Sequence, residues 1–101
     1  MFNPTIKTFE RETIKVEGNE NVRVTLSDEM LIQGCYVGDE FVSYREHRLW
    51  VTVQKNVSGT WVTVQDSISD KYTEDDNEEC RKNARLVAEI DMNCIMLAYG
   101  I

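Results

Sequence analysis

The pentapeptide Trp-Val-Thr-Val-Gln occurs twice, as Trp50 to Gln54 and Trp61 to Gln65, with only Lys55 to Thr60 between the copies. Each copy alternates large apolar and semi-polar side chains at period two, the pattern of a half-buried strand. Ser58-Gly59, or the wider Asn56-Val57-Ser58-Gly59, supplies turn residues, so the copies read as the arms of a β-hairpin. An even-length loop puts Val51, Val53, Val62 and Val64 on one face, which the core should claim. Trp50, Thr52, Gln54, Trp61, Thr63 and Gln65 then share the other. Tryptophan among threonine and glutamine suits neither a dry core nor an ordinary solvent face, so this face is expected to meet a partner or to be covered within the chain by an N-terminal segment carrying Phe2 and Phe9.

The remaining segments up to residue 66 extend this β character. Thr13 to Val16 and Val22 to Leu26 alternate around Glu17-Gly18-Asn19-Glu20-Asn21, a second hairpin connection. Thr5 to Phe9 is expected at a sheet edge. Met30 to Val37 is a further strand, where Gly34 marks either a bulge or a close backbone approach. Gly38-Asp39-Glu40 turns the chain into Phe41 to Tyr44. The expectation is an antiparallel sheet of five or six short strands over residues 1–66, with 67–73 a connection.

The period then changes. Cys80, Ala84, Val87, Ile90, Cys94 and Leu97 recur at three and four residues, predicting one long helix over 74–99 with that stripe facing the sheet. Thr73 is the expected N-cap, Asp76 completes a weak capping box, and Gly100 is the stop. Together these give an α+β fold in a single domain over 1–101, with the helix packed on one face of the sheet.

A balance of 18 acidic against 11 basic residues leaves a net charge of −7. That disfavours direct contact with nucleic-acid phosphates and permits docking on a basic protein surface. Met1-Phe2-Asn3-Pro4 opens without the basic and apolar regions of a signal peptide, and no apolar run reaches bilayer length, so a cytoplasmic protein is expected. Cys35, Cys80 and Cys94 show no CxxC spacing, which indicates reduced thiols and neither a disulfide framework nor a zinc site.

Three groups of residues are candidate sites beside the tryptophan face. Glu74, Asp75, Asp76, Glu78 and Glu79 favour the positive end of a helix dipole and also form a ridge for a basic partner; they lack the loop spacing of a calcium site. Tyr44, Arg45, His47 and Arg48, next to Trp50, mix cations and aromatics as phosphate- or nucleotide-binding surfaces do. His47 is the lone histidine, and nothing in the spacing brings it to Cys35 as a nucleophilic pair. No cofactor or metal is implied.

Asn83-Ala84-Arg85-Leu86-Val87-Ala88 resembles a segment common near the C-termini of small, uncharacterised accessory proteins of bacteriophages and prophages. Their pattern is Ala-Asn-Ala-Arg-Leu-Ile-Ala-Ala-Ala-Pro followed by an acid and leucines, often after short Trp-containing strands. Here Lys82 replaces the leading alanine and Glu89-Ile90 stand where that family has Ala-Ala or Ala-Pro, so this helix should continue where theirs breaks. The resemblance implies a phage or prophage accessory gene and carries no catalytic residue. It supports a non-enzymatic protein that binds and inhibits a host protein or nucleoprotein complex, anti-CRISPR-like, through Trp50, Thr52, Trp61, Thr63, Glu74, Asp75, Glu78 and Glu79. A nucleotide-sequestering oligomer and a virion assembly component are the alternatives. A homodimer using the Trp50/Trp61 face is the expected assembly.

Overall fold

The computed structural model describes residues 5–8 and 10–101, with side chains described from residue 10 onward. The chain runs β1 (Thr5–Thr8), β2 (Glu12–Gly18), β3 (Val22–Val37), β4 (Glu40–Val57), β5 (Thr60–Thr73) and α1 (Glu78–Ala98). All pairings are antiparallel; β3, β4 and β5 lie in sequence order, and β1 and β2 share the outer edge of β3. Among the described residues the sheet is therefore four strands across, not the five or six short strands expected. The segments read separately as Val22–Leu26 and Met30–Val37 are one strand of 16 residues, and β4 runs for 18. Residues 67–73, expected as a connection, belong to β5 and pair with Glu46–Val51.

Local chemistry explains each turn. Asn19 Oδ1 accepts hydrogen bonds from the amides of Asn21 (2.8 Å) and Val22 (3.0 Å), closing the first hairpin. Ser58 and Gly59 both have positive φ, 54° and 87°, the mirror-image turn whose twist matches two antiparallel strands. Asn56 Oδ1 accepts from the Gly59 amide at 2.8 Å and holds it. Gly34 makes a close approach rather than a bulge: a Cβ there would lie 2.3 Å from Cζ of Phe41, whose ring rests on it.

The β3–β4 ladder sets the faces. Val24 opposes Val53 and Leu26 opposes Val51, and these residues with Leu49 pack against Ala84, Ala88 and Met92 of the helix. Val51 and Val53 thus enter the core as expected. Val62 and Val64 do not, remaining 42% and 47% exposed. A register shift in the β4–β5 pair sets Gln65 opposite Val53, on the helix side, so Gln65 leaves the tryptophan face.

The helix begins four residues later than expected. Thr73 is still paired to Glu46 in the sheet, and its amide donates to Asp76 Oδ2 at 2.7 Å, which closes a turn instead of a cap. Asn77 is the N-cap, accepting from the Cys80 amide at 2.9 Å. The buried stripe shares only Ala84 with the expected one, and Cys80 and Cys94 are exposed. Ala84, Ala88 and Met92 face inward with Ile95, Met96 and Tyr99, while Val87, Ile90 and Leu97 are 41%, 52% and 77% exposed. Both stripes have helical spacing, but alanine lets the helix axis come close to a sheet surface already filled by valine and leucine. Gly100, at φ 75°, ends the helix as anticipated.

Candidate functional site

The face of the sheet away from the helix carries Arg23, Thr25, Ser27 and Glu29 of β3 beside Gln54, Thr52, Trp50 and Arg48 of β4. From β5, Trp61, Thr63 and Asp66 join them, opposite Asn56, Gln54 and Thr52. The expected cluster of Trp50, Thr52, Trp61 and Thr63 is therefore assembled on one surface. Each tryptophan is half-buried under an arginine. The Arg11 guanidinium sits 3.8 Å from the Trp50 ring centroid, and that of Arg23 sits 4.3 Å from Trp61. Trp50 Nε1 donates to Glu29 at 3.1 Å. Arg11 also donates to both oxygens of Asp66, at 3.0 and 3.1 Å, and Thr52 donates to Asp66 at 2.7 Å. Burial alone would raise the Asp66 carboxyl, but these hydrogen bonds and the guanidinium charge outweigh it and hold the group below its ordinary range. A shallow hollow of about 390 Å³ runs between Arg11, Thr13, Arg23 and Thr52. Cover from Phe2 and Phe9 lies outside the described residues; Arg11, which does cover Trp50, gives no apolar signal in the sequence.

The acidic candidates lie elsewhere. Glu74 and Asp75 occupy the turn after β5, and Glu78 and Glu79 form the first turn of a helix packed on the opposite face of the sheet. Glu74 pairs with Arg45 at 3.2 Å and Glu78 with Lys82 at 3.4 Å. These residues and the tryptophan cluster do not form one contact surface, contrary to their grouping as a single partner site. Only Glu78 and Glu79 lie within the helix start.

Strand alternation also divides the expected ligand set. Tyr44 and Arg48 point to the tryptophan side, where Tyr44 donates to Gln33 at 2.7 Å and Arg48 to the buried Glu46 at 3.0 Å. Arg45 and His47 point to the helix side. Residues of opposite parity on one strand cannot line one pocket, so Tyr44, Arg45, His47 and Arg48 are not a site. Cys35 pairs with Val42, well along the ladder from the Met30–His47 pair, and is no partner for His47.

His47 instead supports two residues, Asp28 and Tyr72, of a cleft that gives no signal in the sequence. Its Nδ1 lies 3.1 Å from both carboxylate oxygens of Asp28, and its ring stacks on Tyr72 with centroids 4.7 Å apart. The cleft, about 520 Å³, opens between Asp28, Leu49 and Tyr72 and the helix, whose wall mixes Arg81, Lys82 and Arg85 with Glu78 and Glu89. Burial, followed by the nearby Asp28 carboxylate, pushes the Tyr72 hydroxyl above its ordinary value, against the opposing pull of Arg81 and Arg85. Asp28 and Tyr72 sit on strands far apart in sequence, and no local spacing announces their meeting. Among the described residues, no group of three or more His, Cys, Asp or Glu is arranged to hold a metal ion. No described helix is long and apolar enough to cross a membrane. Comparison of the chain with family models, curated proteins and solved structures yields no match.

Proposed function

We propose that this chain is a non-enzymatic phage or prophage accessory protein that binds a host protein or nucleoprotein complex in the bacterial cytoplasm and blocks it, as anti-defence proteins do. The observation that carries this reading is the helix-free face of the sheet. It presents Trp50 and Trp61, half-buried and each capped by arginine, amid Thr52, Thr63 and Gln54. Tryptophan and arginine are the residues most enriched among interface hot spots, and their mutual stacking pre-orders both side chains before a partner arrives. Glu29 and Asp66 offset the local arginine charge, and the net charge of −7 repels phosphates, so a protein surface suits this face better than bare nucleic acid.

Expression in bacterial strains that each carry one defence system, followed by phage plating, tests the reading. Restored plating is expected for at least one system, with the effect lost in Trp61→Lys while circular dichroism stays native. Plating unchanged in every strain, with no saturable host partner retained by the immobilised protein, would remove it.

The cleft favours a second reading, the binding of a nucleotide-like small molecule. It sets the Tyr72 ring and the Asp28 carboxylate against a helix wall that carries Arg81 beside the Lys82–Glu78 and Arg85–Glu89 ion pairs. A ligand held only by the folded state raises stability by about 2.7 kcal/mol at a hundredfold excess over Kd. Nucleoside mono-, di- and triphosphates at millimolar concentration should then raise the melting temperature by several degrees in the wild type and not in Arg85→Ala. A flat response to all of them rules the reading out.

A further inference from the structure

Among the described residues, three arginines stand over aromatic rings, and they do not stand at one height. The guanidiniums of Arg11 and Arg23 rest on Trp50 and Trp61 at 3.8 and 4.3 Å from the ring centroids, which is direct contact. Arg81 stands 6.0 Å from the centroid of Tyr72 and leaves a gap. Its guanidinium is anchored there by donating to the Glu74 carbonyl at 2.7 Å. Stacked planar groups lie about 3.4 Å apart, so one more ring fits between tyrosine and arginine after a retreat of roughly 1 Å.

The gap belongs to the cleft, whose 520 Å³ falls within the size range of small-molecule sites. Arg81, Tyr72 and Asp28 line it. His47 does not, and it backs the tyrosine as a stacked neighbour whose plane is tilted by 8°. The Tyr72 platform is thereby oriented before a ligand arrives, which reduces the ordering cost of a stack.

Asp28 stands at the edge of this platform, where the Tyr72 hydroxyl hydrogen-bonds to it. His47 Nδ1 lies 3.1 Å from both carboxylate oxygens and so occupies the fork between them. A carboxylate has about four acceptor positions, so capacity for a further N–H donor remains, and 21% of the side chain is exposed. On the helix wall, Lys82 and Arg85 share their charge with Glu78 and Glu89 at 3.4 and 3.5 Å. A phosphate therefore gains less from that wall than a planar ring gains from the slot. Ile14, Leu49 and Leu86 add apolar surface around it.

We propose that the cleft grips its ligand by the base, an aminopurine ring that inserts between Tyr72 and Arg81 and donates an N–H to Asp28. This placement rests on the small-molecule reading of the cleft and makes no use of the tryptophan face. The ring stacks on tyrosine on one side and meets a cation on the other, and both contacts favour a large π surface. An acceptor-only carboxylate selects rings that carry an amino group.

Thermal melts and calorimetry of the full chain with nucleosides, which carry no phosphate, test the assignment. Adenosine or guanosine at millimolar concentration should raise Tm by several degrees, as much as its monophosphate does. The matching riboside without the amino group, purine riboside or inosine, should bind at least tenfold more weakly, and Asp28→Asn should remove most of that preference. Arg81→Ala, at an exposed helix position, should weaken nucleoside binding at least tenfold with native circular dichroism. Tyr72→Phe keeps the platform and should retain binding, while Tyr72→Leu should lose it. A response confined to phosphorylated ligands overturns the proposal while leaving nucleotide binding in place. Nucleoside binding indifferent to Arg81→Ala, or an amino preference that survives in Asp28→Asn, also overturns it. No response to any nucleoside or nucleotide removes both this placement and the small-molecule reading.

Discussion

Ala88→Asp is expected to abolish cooperative folding, while Val87→Asp, one residue away, leaves the melting temperature within a few degrees of the wild type. Ala88 has no exposed surface and sits between Ala84 and Met92 against the valine and leucine face of the sheet. An unpaired carboxylate there costs several kcal/mol, on the order of the ~5–15 kcal/mol that holds a whole domain together. Val87 is 41% exposed, and a charge at that position remains in water. Thermal melts followed by circular dichroism, with urea titrations for both variants, make the comparison. Equal tolerance of the two would mean that the helix is not seated by its alanine stripe. Loss of folding in Val87→Asp instead would restore the stripe that periodicity alone suggests.

Gly18→Ala should be the most damaging of the conservative substitutions. Gly18 ends β2 at φ 147°, a region nearly closed to other residues, and a Cβ would lie 2.2 Å from the Val22 carbonyl oxygen and 2.7 Å from the Arg23 Cα. Both obstacles are backbone within the hairpin that the Asn19 side chain closes, so no side-chain rotation relieves them. Strain of this kind costs about 1–3 kcal/mol, which for a chain of this size lowers Tm by roughly 5–20 °C. Gly38→Ala and Gly59→Ala, where an added Cβ meets nothing within 4 Å, bear only the cost of a positive φ and should lower it less. A Gly18→Ala protein that melts with the Gly59→Ala variant would show that β2 can leave the sheet without consequence.

The repeated pentapeptide, the turn residues and the change of period near residue 74 were enough to identify the α+β class, the hairpins, the presence of the helix and the shared face of Trp50, Thr52, Trp61 and Thr63. These are local properties: alternation is a geometric consequence of the strand, and Asn and Gly at turns act on their own backbone. Errors began where two local solutions were equally regular. The helix carries two apolar stripes that share Ala84, and the expected one ran on through Val87, Ile90 and Leu97 instead of Ala88 and Met92. The sheet beneath, already filled by Val24, Leu26, Leu49, Val51 and Val53, selected the smaller residues because only they permit close approach. Thr73 has a cap's chemistry, but pairing with Glu46 retained it in β5 and passed the cap to Asn77.

The cleft and the arginine cover of Trp50 depended wholly on long-range pairing. Asp28 meets His47 and Tyr72 only because β3, β4 and β5 lie side by side, and Arg11 covers Trp50 only because β2 returns along β3. Tyr36, Phe41 and Val42 read along the chain as ordinary strand residues. Their exposure arises because β5 ends its pairing at the Glu46–Thr73 rung, a matter of where a distant strand ends. Sequence by itself thus determined that residues 12–18, 50–54 and 60–65 are extended, that the C-terminal segment is helical and that Trp50, Thr52, Trp61 and Thr63 share a face, since those follow from backbone geometry over a few residues. Tertiary structure alone decided which apolar face is buried, which charges meet and which surface is left for a partner, since those depend on the space that distant segments fill.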